Sequence, residues 1–274
     1  MAAHAVPPLL LPQHLPDALR LGDGDLHPDA GPFVTADHRV HRAADPGRCG
    51  LMLTYSFPQH IRVRGRMAGA VAGCLRKTVM SRVPDPIPPE ISGHGADNRP
   101  HVAYLPLLDA GHPDAGGDVL GVGLLVPDGR TDLVAAVDAA LAESFELRLP
   151  GAHLRLRRRT PAGTPLEPEW WFGRARRWAT VTPMVLDRFS GRDNEEAEVG
   201  RACQRVGLPE PTVVTTGHDP LVRGGAFLRP GDLARREKVP RPFIHVLLEF
   251  PTPVSGPVLL GAQRYLGMGL CVPR

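Results

Sequence analysis

From residue 50 onward the apolar positions of this chain fall into short runs and periodic stretches; before it they show no sustained period. LMLTYSF (51–57) is an apolar run of strand length. From about Ile61 to Ser81 the spacing becomes helical, with Val63, Met67, Val71, Cys74 and Leu75 on one face. RVPDPIPPEISGHGADNRP (82–100) holds too many prolines and glycines for a regular element and reads as a loop. HVAYLPLL (101–108) and DVLGVGLLV (118–126) read as two strands, with GHPDAGG as the hairpin connection between them. A second helix starts near Thr131, a good N-capping residue type, and places Leu133, Val134, Val137 and Leu141 on one face. FELRLPGAHLRLRRR (145–159) alternates Leu with Arg and reads as a strand. The resulting order, β-α-β-β-α-β, is that of the ferredoxin-like unit.

After a proline-rich linker (160–169) the pattern begins again. RRWATVTPMVLDRF (176–189) reads as a strand, EEAEVGRACQRVG (195–207) as a helix with a glycine stop, and EPTVVTTG (210–217) as a strand. Residues 218–242 form a long loop rich in arginine, a length often tied to function or mobility. FIHVLLEF (243–250) is the next strand, and 257–263 is at most a short helix. The chain is therefore expected to be α+β, with tandem ferredoxin-like (RRM-like) domains at 49–159 and 170–274. Residues 1–48, rich in Pro, His, Asp and Gly, are expected to be an irregular arm that could dock on a partner.

Composition narrows this picture only slightly. The hydrophobic fraction, 42%, is ordinary for a globular protein, and a net charge of +3 does not by itself predict a polyanion partner. Lys77 and Lys238 are the only lysines; the remaining basic residues are arginines, which suit phosphate but also follow from a GC-rich genome. Cys49, Cys74, Cys203 and Cys271 are far apart with no CxxC pair, which argues against a zinc ribbon, and no metal or other cofactor is expected. Cys74 and Cys203 fit reduced core positions, in keeping with a cytoplasmic protein. MAAHAVPPLLLPQHLP lacks a basic n-region and is broken by prolines, so it does not read as a signal peptide, and no stretch approaches membrane-span length.

Chemistry concentrates at the C-terminal end. In GPVLLGAQRYLGMGL (256–270), Gly256, Gly261, Gly267 and Gly269 punctuate an apolar run holding Gln263, Arg264 and Tyr265. Such a turn can gather backbone N–H groups around an anion, or it can simply pack tightly. Arg264 can reach a phosphate, and Tyr265 offers a stacking face or a hydroxyl. On the first helix Arg62, Arg66, Gly69, Gly73 and Arg76 form a second stripe with Lys77 beside it, either a polyanion cradle or a solvated face.

The blocks SGH (92–94), HVAYLPL (101–107), LGVGLLVP (120–127), RRWATVTPMVLDR (176–188), ACQRVGLPEP (202–211) and HVLLEFPTPVSGPVLLGAQRYLGMGL (245–270) carry a resemblance. They resemble the CRISPR-associated endoribonucleases of the repeat-associated RNA-binding superfamily that process precursor CRISPR RNA. They are most similar to the processing half of the fused subtype I-G (formerly I-U) subunit. The resemblance covers roughly residues 50–274. In the fused family a backbone-capping half precedes this region. Here residues 1–48 do, so a separate subunit is expected to fill that role, or the chain is a reduced form.

The resemblance implies metal-independent cleavage within the repeat. The ribose 2′-hydroxyl attacks the adjacent phosphate, leaving a 2′,3′-cyclic phosphate and a 5′-hydroxyl. A base, an acid and stabilisation of the phosphorane are needed. The family places its histidine on or just after the first helix, which on this chain points to His94 in SGHG. His112, which Asp114 could orient, is second. His101 opens a strand, in a structural or RNA-contacting place; His60 is a weaker candidate and His245 reads as a core histidine. Tyr104, Arg76 and Lys77 are candidates for charge stabilisation. RNA contacts are expected from Arg62, Arg66, Arg76, Arg157, Arg158, Arg159, Arg176, Arg177, Arg236, Lys238, Gln263, Arg264, Gly261, Gly267 and Gly269. Trp170 and Trp171 are possible stacking platforms, whereas Trp178 reads as core.

The implied partners are the precursor repeat, the mature crRNA and other subunits of a type I effector complex, with no membrane. Two other readings stand beside the nuclease: a non-catalytic crRNA-binding subunit, and a metal-dependent hydrolase using His94, His101, His112 and Asp114. The histidine spacing of the last is not a recognised ligand pattern.

Overall fold

The elements form where alternation or helical spacing lets one face of each reach a shared core. The computed structural model describes residues 50–94, 100–159, 161–187, 191, 194–233 and 241–274. The expected N-terminal arm lies outside these residues, as do Cys49, Arg236 and Lys238. Both sheets are antiparallel throughout their described pairings, and the chain is α+β.

The first sheet is built around β1 (Leu51–Ser56) and β4 (Asp118–Val126), paired from Leu51–Val126 to Ser56–Gly121. A two-residue strand, β2 (Val63–Arg64), pairs with the start of β4, and β3 (Ala103–Leu108) lies along β4's other edge. Beyond β1 come β6 (Ala152–Arg158) and then β5 (Ser144–Leu149), giving the order β5-β6-β1-β4-β3. The expected single strand over 145–159 is thus a hairpin. It turns at Pro150–Gly151, with Gly151 at φ +80°. On both arms the leucines point inward and the charged residues outward, the period-two pattern of a one-sided sheet.

The first helix, α1 (Ala68–Met80), buries Ala68, Val71, Ala72, Leu75 and Val79, one stripe at helical spacing. It begins later than the spacing from Ile61 predicts. Val63 and Arg64 hydrogen-bond to β4 as β2, and Gly65–Met67 form a 3-10 turn before the helix proper. Arg62 and Arg66 therefore do not share the helix with Arg76. A short helix, α2 (Pro89–Ser92), occupies part of the expected loop 82–100. It is followed by β3, β4 and α3 (Thr131–Leu141), the last burying Leu133, Val137 and Leu141.

After α4 (Glu169–Phe172), a second sheet forms from β7 (Arg174–Thr180), β8 (Met184–Val185), β9 (Val213–Gly217), β10 (Phe243–Ser255) and β11 (Cys271–Pro273). β7 lies between β11 and β10, and β9 flanks β10, so its main order is β11-β7-β10-β9. β8 pairs with the start of β10. Helix α5 (Glu195–Arg205) packs Val199, Ala202 and Cys203 into a core with Trp178, Val246, Leu248 and Phe250. Ala179, Val181, Val185, Met268, Leu270 and Val272 instead join the core that holds β3, β4 and α1. The two sheets are therefore joined by continuous apolar packing.

Among the described residues no helix is long and apolar enough to cross a membrane. Cys74, Cys203 and Cys271 are free thiols. Burial pushes Cys203 up to about 12 and holds Cys74 and Cys271 above the usual thiol value, so the thiolate form is disfavoured at all three.

Candidate functional site

A cleft of about 570 Å³ opens where α1, α2 and the start of β3 meet the C-terminal segment. Its floor depends on α2. Pro89 sits at the first helical position, where a missing N–H costs nothing. Glu90 is buried and accepts a hydrogen bond from Arg130 Nη1 at 2.9 Å, tying α2 to the residue before α3. The last carbonyls of so short a helix need partners from elsewhere, and three groups supply them. Val102 N donates to Glu90 O at 2.9 Å, the Tyr104 hydroxyl to Ile91 O at 2.8 Å, and the Arg76 guanidinium to Ser92 O. Gly93 then turns the chain at φ +71° into His94.

His94 is exposed on the cleft wall, and its backbone N–H donates to Ser92 Oγ at 3.2 Å. Lys77 is exposed on α1 beside Arg76. Burial raises the Tyr104 phenol well above its ordinary value, and the nearby Arg76 charge offsets only part of this. Tyr104 is thus a protonated donor, with its hydrogen bond directed at the α2 backbone.

The opposite wall comes from the terminal segment. Gln263 is buried, and the short 3-10 helix Arg264–Leu266 presents Tyr265 to the cleft. The Tyr265 ring stacks on His101 with centroids 4.5 Å apart and an interplanar angle of 29°. The Arg264 guanidinium carbon lies 4.6 Å from the same ring's centroid, and Arg264 Nη1 donates to Gly261 O at 3.2 Å. Arg241 also lines the cleft. The fold thus gathers His94, His101, Arg76, Lys77, Tyr104, Gln263 and Tyr265 from two ends of the chain.

Other expected residues lie elsewhere. His112 is absent from the cleft wall: its Nε2 is 2.7 Å from Asp109 Oδ1, and its ring meets Trp170 edge-on at 5.8 Å. The carboxylate that holds it is Asp109 rather than Asp114. Among the described residues no three His, Cys, Asp or Glu side chains gather as a metal-holding group. Arg62 pairs with Asp118 at 2.7 Å, and both Arg62 and Arg66 are exposed. Arg158 donates to Tyr55 Oη at 2.6 Å and also to Asp138, whereas Arg157 and Arg159 are exposed. Arg176 Nε reaches Phe250 O at 3.3 Å, and Arg177 Nε reaches Glu249 Oε2 at 3.0 Å.

Gly261, Gly267 and Gly269 are all buried. A Cβ on Gly267 would stand 2.2 Å from Pro106 Cδ and 2.7 Å from Tyr104 O; on Gly261 it would meet Val185 O, and on Gly269 Leu260 O. Here the close approach that glycine permits is made to the protein itself, and at Gly267 it clamps the segment onto β3. Trp171 and Trp178 are buried, with indole N–H groups on Pro165 O and Ala175 O. His245 is buried too, with Nε2 3.1 Å from Ala226 O and Nδ1 3.1 Å from Thr180 Oγ1.

Sequence reading missed the contributions of Glu90 and Ser92 and the His101–Tyr265 stack. The Pro88–Pro89 start of PEIS was the available signal for α2; no local signal pairs His101 with Tyr265.

No family model matches the chain, and no curated protein matches it. Among solved structures, one titled "CRISPR associated protein Cas6" aligns at a TM-score of 0.42 and 8% identity, covering 81% of this chain and 98% of that one. Another, titled "An RAMP protein binding different RNA substrates", aligns at a TM-score of 0.36 and 11% identity, covering 81% and 97%.

Proposed function

We propose that this protein is a CRISPR RNA-processing endoribonuclease. It cuts the precursor repeat without a metal and stays with the product in a type I effector complex. The sequence blocks that resemble the subtype I-G processing region motivate the reading. The observation that carries it is the cleft. An exposed histidine, the cationic side chains of α1 and the stacked Tyr265 face one space large enough for a nucleotide and its phosphate. In this reading the chain comprises two ferredoxin-like domains, 49–159 and 170–274. Its support is the strand orders β6-β1-β4-β3 and β11-β7-β10-β9, each the 4-1-3-2 order of that unit.

The chemistry follows from these positions. The ribose 2′-oxygen bonds to phosphorus while the P–O5′ bond breaks; the 2′-hydroxyl proton leaves to a base, and a proton is delivered to the departing O5′. His94 supplies an imidazole, the side chain most often used as a general acid or base, and is open to the RNA. Lys77, exposed at the cleft, offsets charge on the phosphorane. Arg76 and Tyr104 act one step removed, by holding the α2 carbonyls and so the turn that carries His94. Single-stranded bases beyond the cut meet the exposed arginines and the Tyr265 edge.

The commitment of Arg76 and Tyr104 to backbone carbonyls also favours a second reading, a subunit that holds crRNA without cutting it. The two are separated by incubating the protein with a labelled transcript of its own repeat in excess EDTA. A single cut ending in a 2′,3′-cyclic phosphate is expected. Intact RNA retained by the protein would instead establish the holding role, and a cut that EDTA abolishes would sink the metal-independent mechanism.

A further inference from the structure

Among the described residues of the cleft one buried polar atom is left without a hydrogen-bond partner, Nδ1 of His101. The ring around it is fixed. One face lies on Tyr265, and the Cδ2 edge is 3.6 Å from where a side chain on Gly93 would begin. Cδ2 is bonded to Nε2, so the Nε2 side of the ring is the one turned toward the strand of chain that carries His94. A neutral imidazole has a single N–H, on one nitrogen or the other. A buried N–H with no acceptor is the rarer and costlier orphan, compared with a buried acceptor lacking a donor. The proton therefore belongs on Nε2, which unlike Nδ1 is not a buried unpartnered atom, on a side chain that lines the cleft.

We propose that His101 is a fixed Nε2–H donor to a phosphodiester oxygen of the bound RNA, seating the scissile phosphate against His94, and that it transfers no proton. The proposal rests on reading the cleft as an RNA-cleaving site. The groups around it suit an anionic oxygen: Arg76 and Lys77 from α1 and Arg241 ahead of β10 line the cleft, and Arg264 lies over the Tyr265 ring. The acidic member of the wall, Glu90, is tied to Arg130. Tyr104, from β3, directs its hydroxyl to Ile91 O. The stack on Tyr265 gives the terminal segment a role in the chemistry, because it holds the donor's ring in place.

Replacement of His101 by Gln, Asn and Ala tests this. A glutamine amide nitrogen falls near the position of Nε2, whereas an asparagine amide reaches only as far as Nδ1. In single-turnover cleavage of the repeat, His101→Gln is expected to stay within about threefold of wild type, and its pH–rate profile to overlay the wild-type profile. His101→Ala and His101→Asn are expected to slow by on the order of 100-fold, the loss typical of one donor to a developing oxyanion. Were Gln as slow as Ala, with one limb of the profile gone, His101 would be a proton-transfer group and the proposal overturned. An Ala variant as fast as wild type would also overturn it. If Ala and Asn melt early, the Gln arm still decides. Failure of wild type itself to cut removes the proposed function and this inference together. A wild type that cuts, beside a Gln variant that does not, removes this inference alone.

Discussion

Gly267 shows how much a single residue can determine about the site. It sits at φ +70°, and a methyl group there would run into Pro106 and the Tyr104 carbonyl of β3. Gly129 has nearly the same angle, φ +72°, with nothing within 4 Å of the added carbon. Substituting Ala at Gly129 is expected to cost about 1–2 kcal/mol, the strain of the left-handed conformation alone. At Gly267 the collision adds roughly 2 kcal/mol more. Denaturant unfolding of both variants measures the difference; equal losses would show that the segment does not clamp β3 as described. The glycines of 256–270 were legible as a place of close approach. What Gly267 approaches was not, because β3 is remote in sequence and only the tertiary fold brings its backbone there.

At the scale of elements, legibility followed periodicity. β1, β3, β4, α3, α5 and β9 all lie within the stretches that their apolar patterns mark, whereas β10 runs past its stretch from Phe250 to Ser255. The departures are short elements and boundaries set by partners. β2 takes the first residues of the expected helix because β4 offers hydrogen bonds to them. The alternation of Leu and Arg runs unbroken through Pro150–Gly151, so period alone cannot separate β5 from β6. α2 is four residues long, too short for a periodic signal, and its stability comes from Arg130, Val102, Tyr104 and Arg76.

β10 carries a prediction of its own. Burial lowers the His245 pKa below 6.5, outweighing the opposite influence of the Thr180 and Ala226 carbonyls. The unfolded chain then binds a proton that the folded chain refuses. This contribution to stability is complete above about pH 6.5 and is lost as pH falls below it. Melting temperatures across this range should decline toward acid more steeply in wild type than in a His245→Gln variant. Identical slopes would contradict the assignment.

For the whole molecule, the central feature is that the candidate site belongs to both ends of the described chain. Composition gave little sign of this, since a net charge of +3 is modest; among the expected RNA-contacting arginines, Arg62 pairs with Asp118 and Arg158 with Tyr55 and Asp138. Arg76, Lys77 and Arg241 are the cations that line the cleft. Of the candidate catalytic residues, Lys77, His94 and Tyr104 come together and His112 does not. That separation could not be read from spacing, because the hairpin holding His112 and the turn holding His94 diverge only in three dimensions.

The most direct test is the single-turnover cleavage rate of the repeat by wild type and His94→Ala, with affinity measured on the same RNA carrying a 2′-deoxy sugar at the scissile position. The account predicts that the variant binds this uncleavable RNA within about threefold of wild type. It also predicts that the variant cuts the natural repeat slower by at least about 100-fold, the usual worth of a general acid or base. A variant that cuts as fast as wild type, or a wild type that grips the repeat and never cuts it, would contradict it.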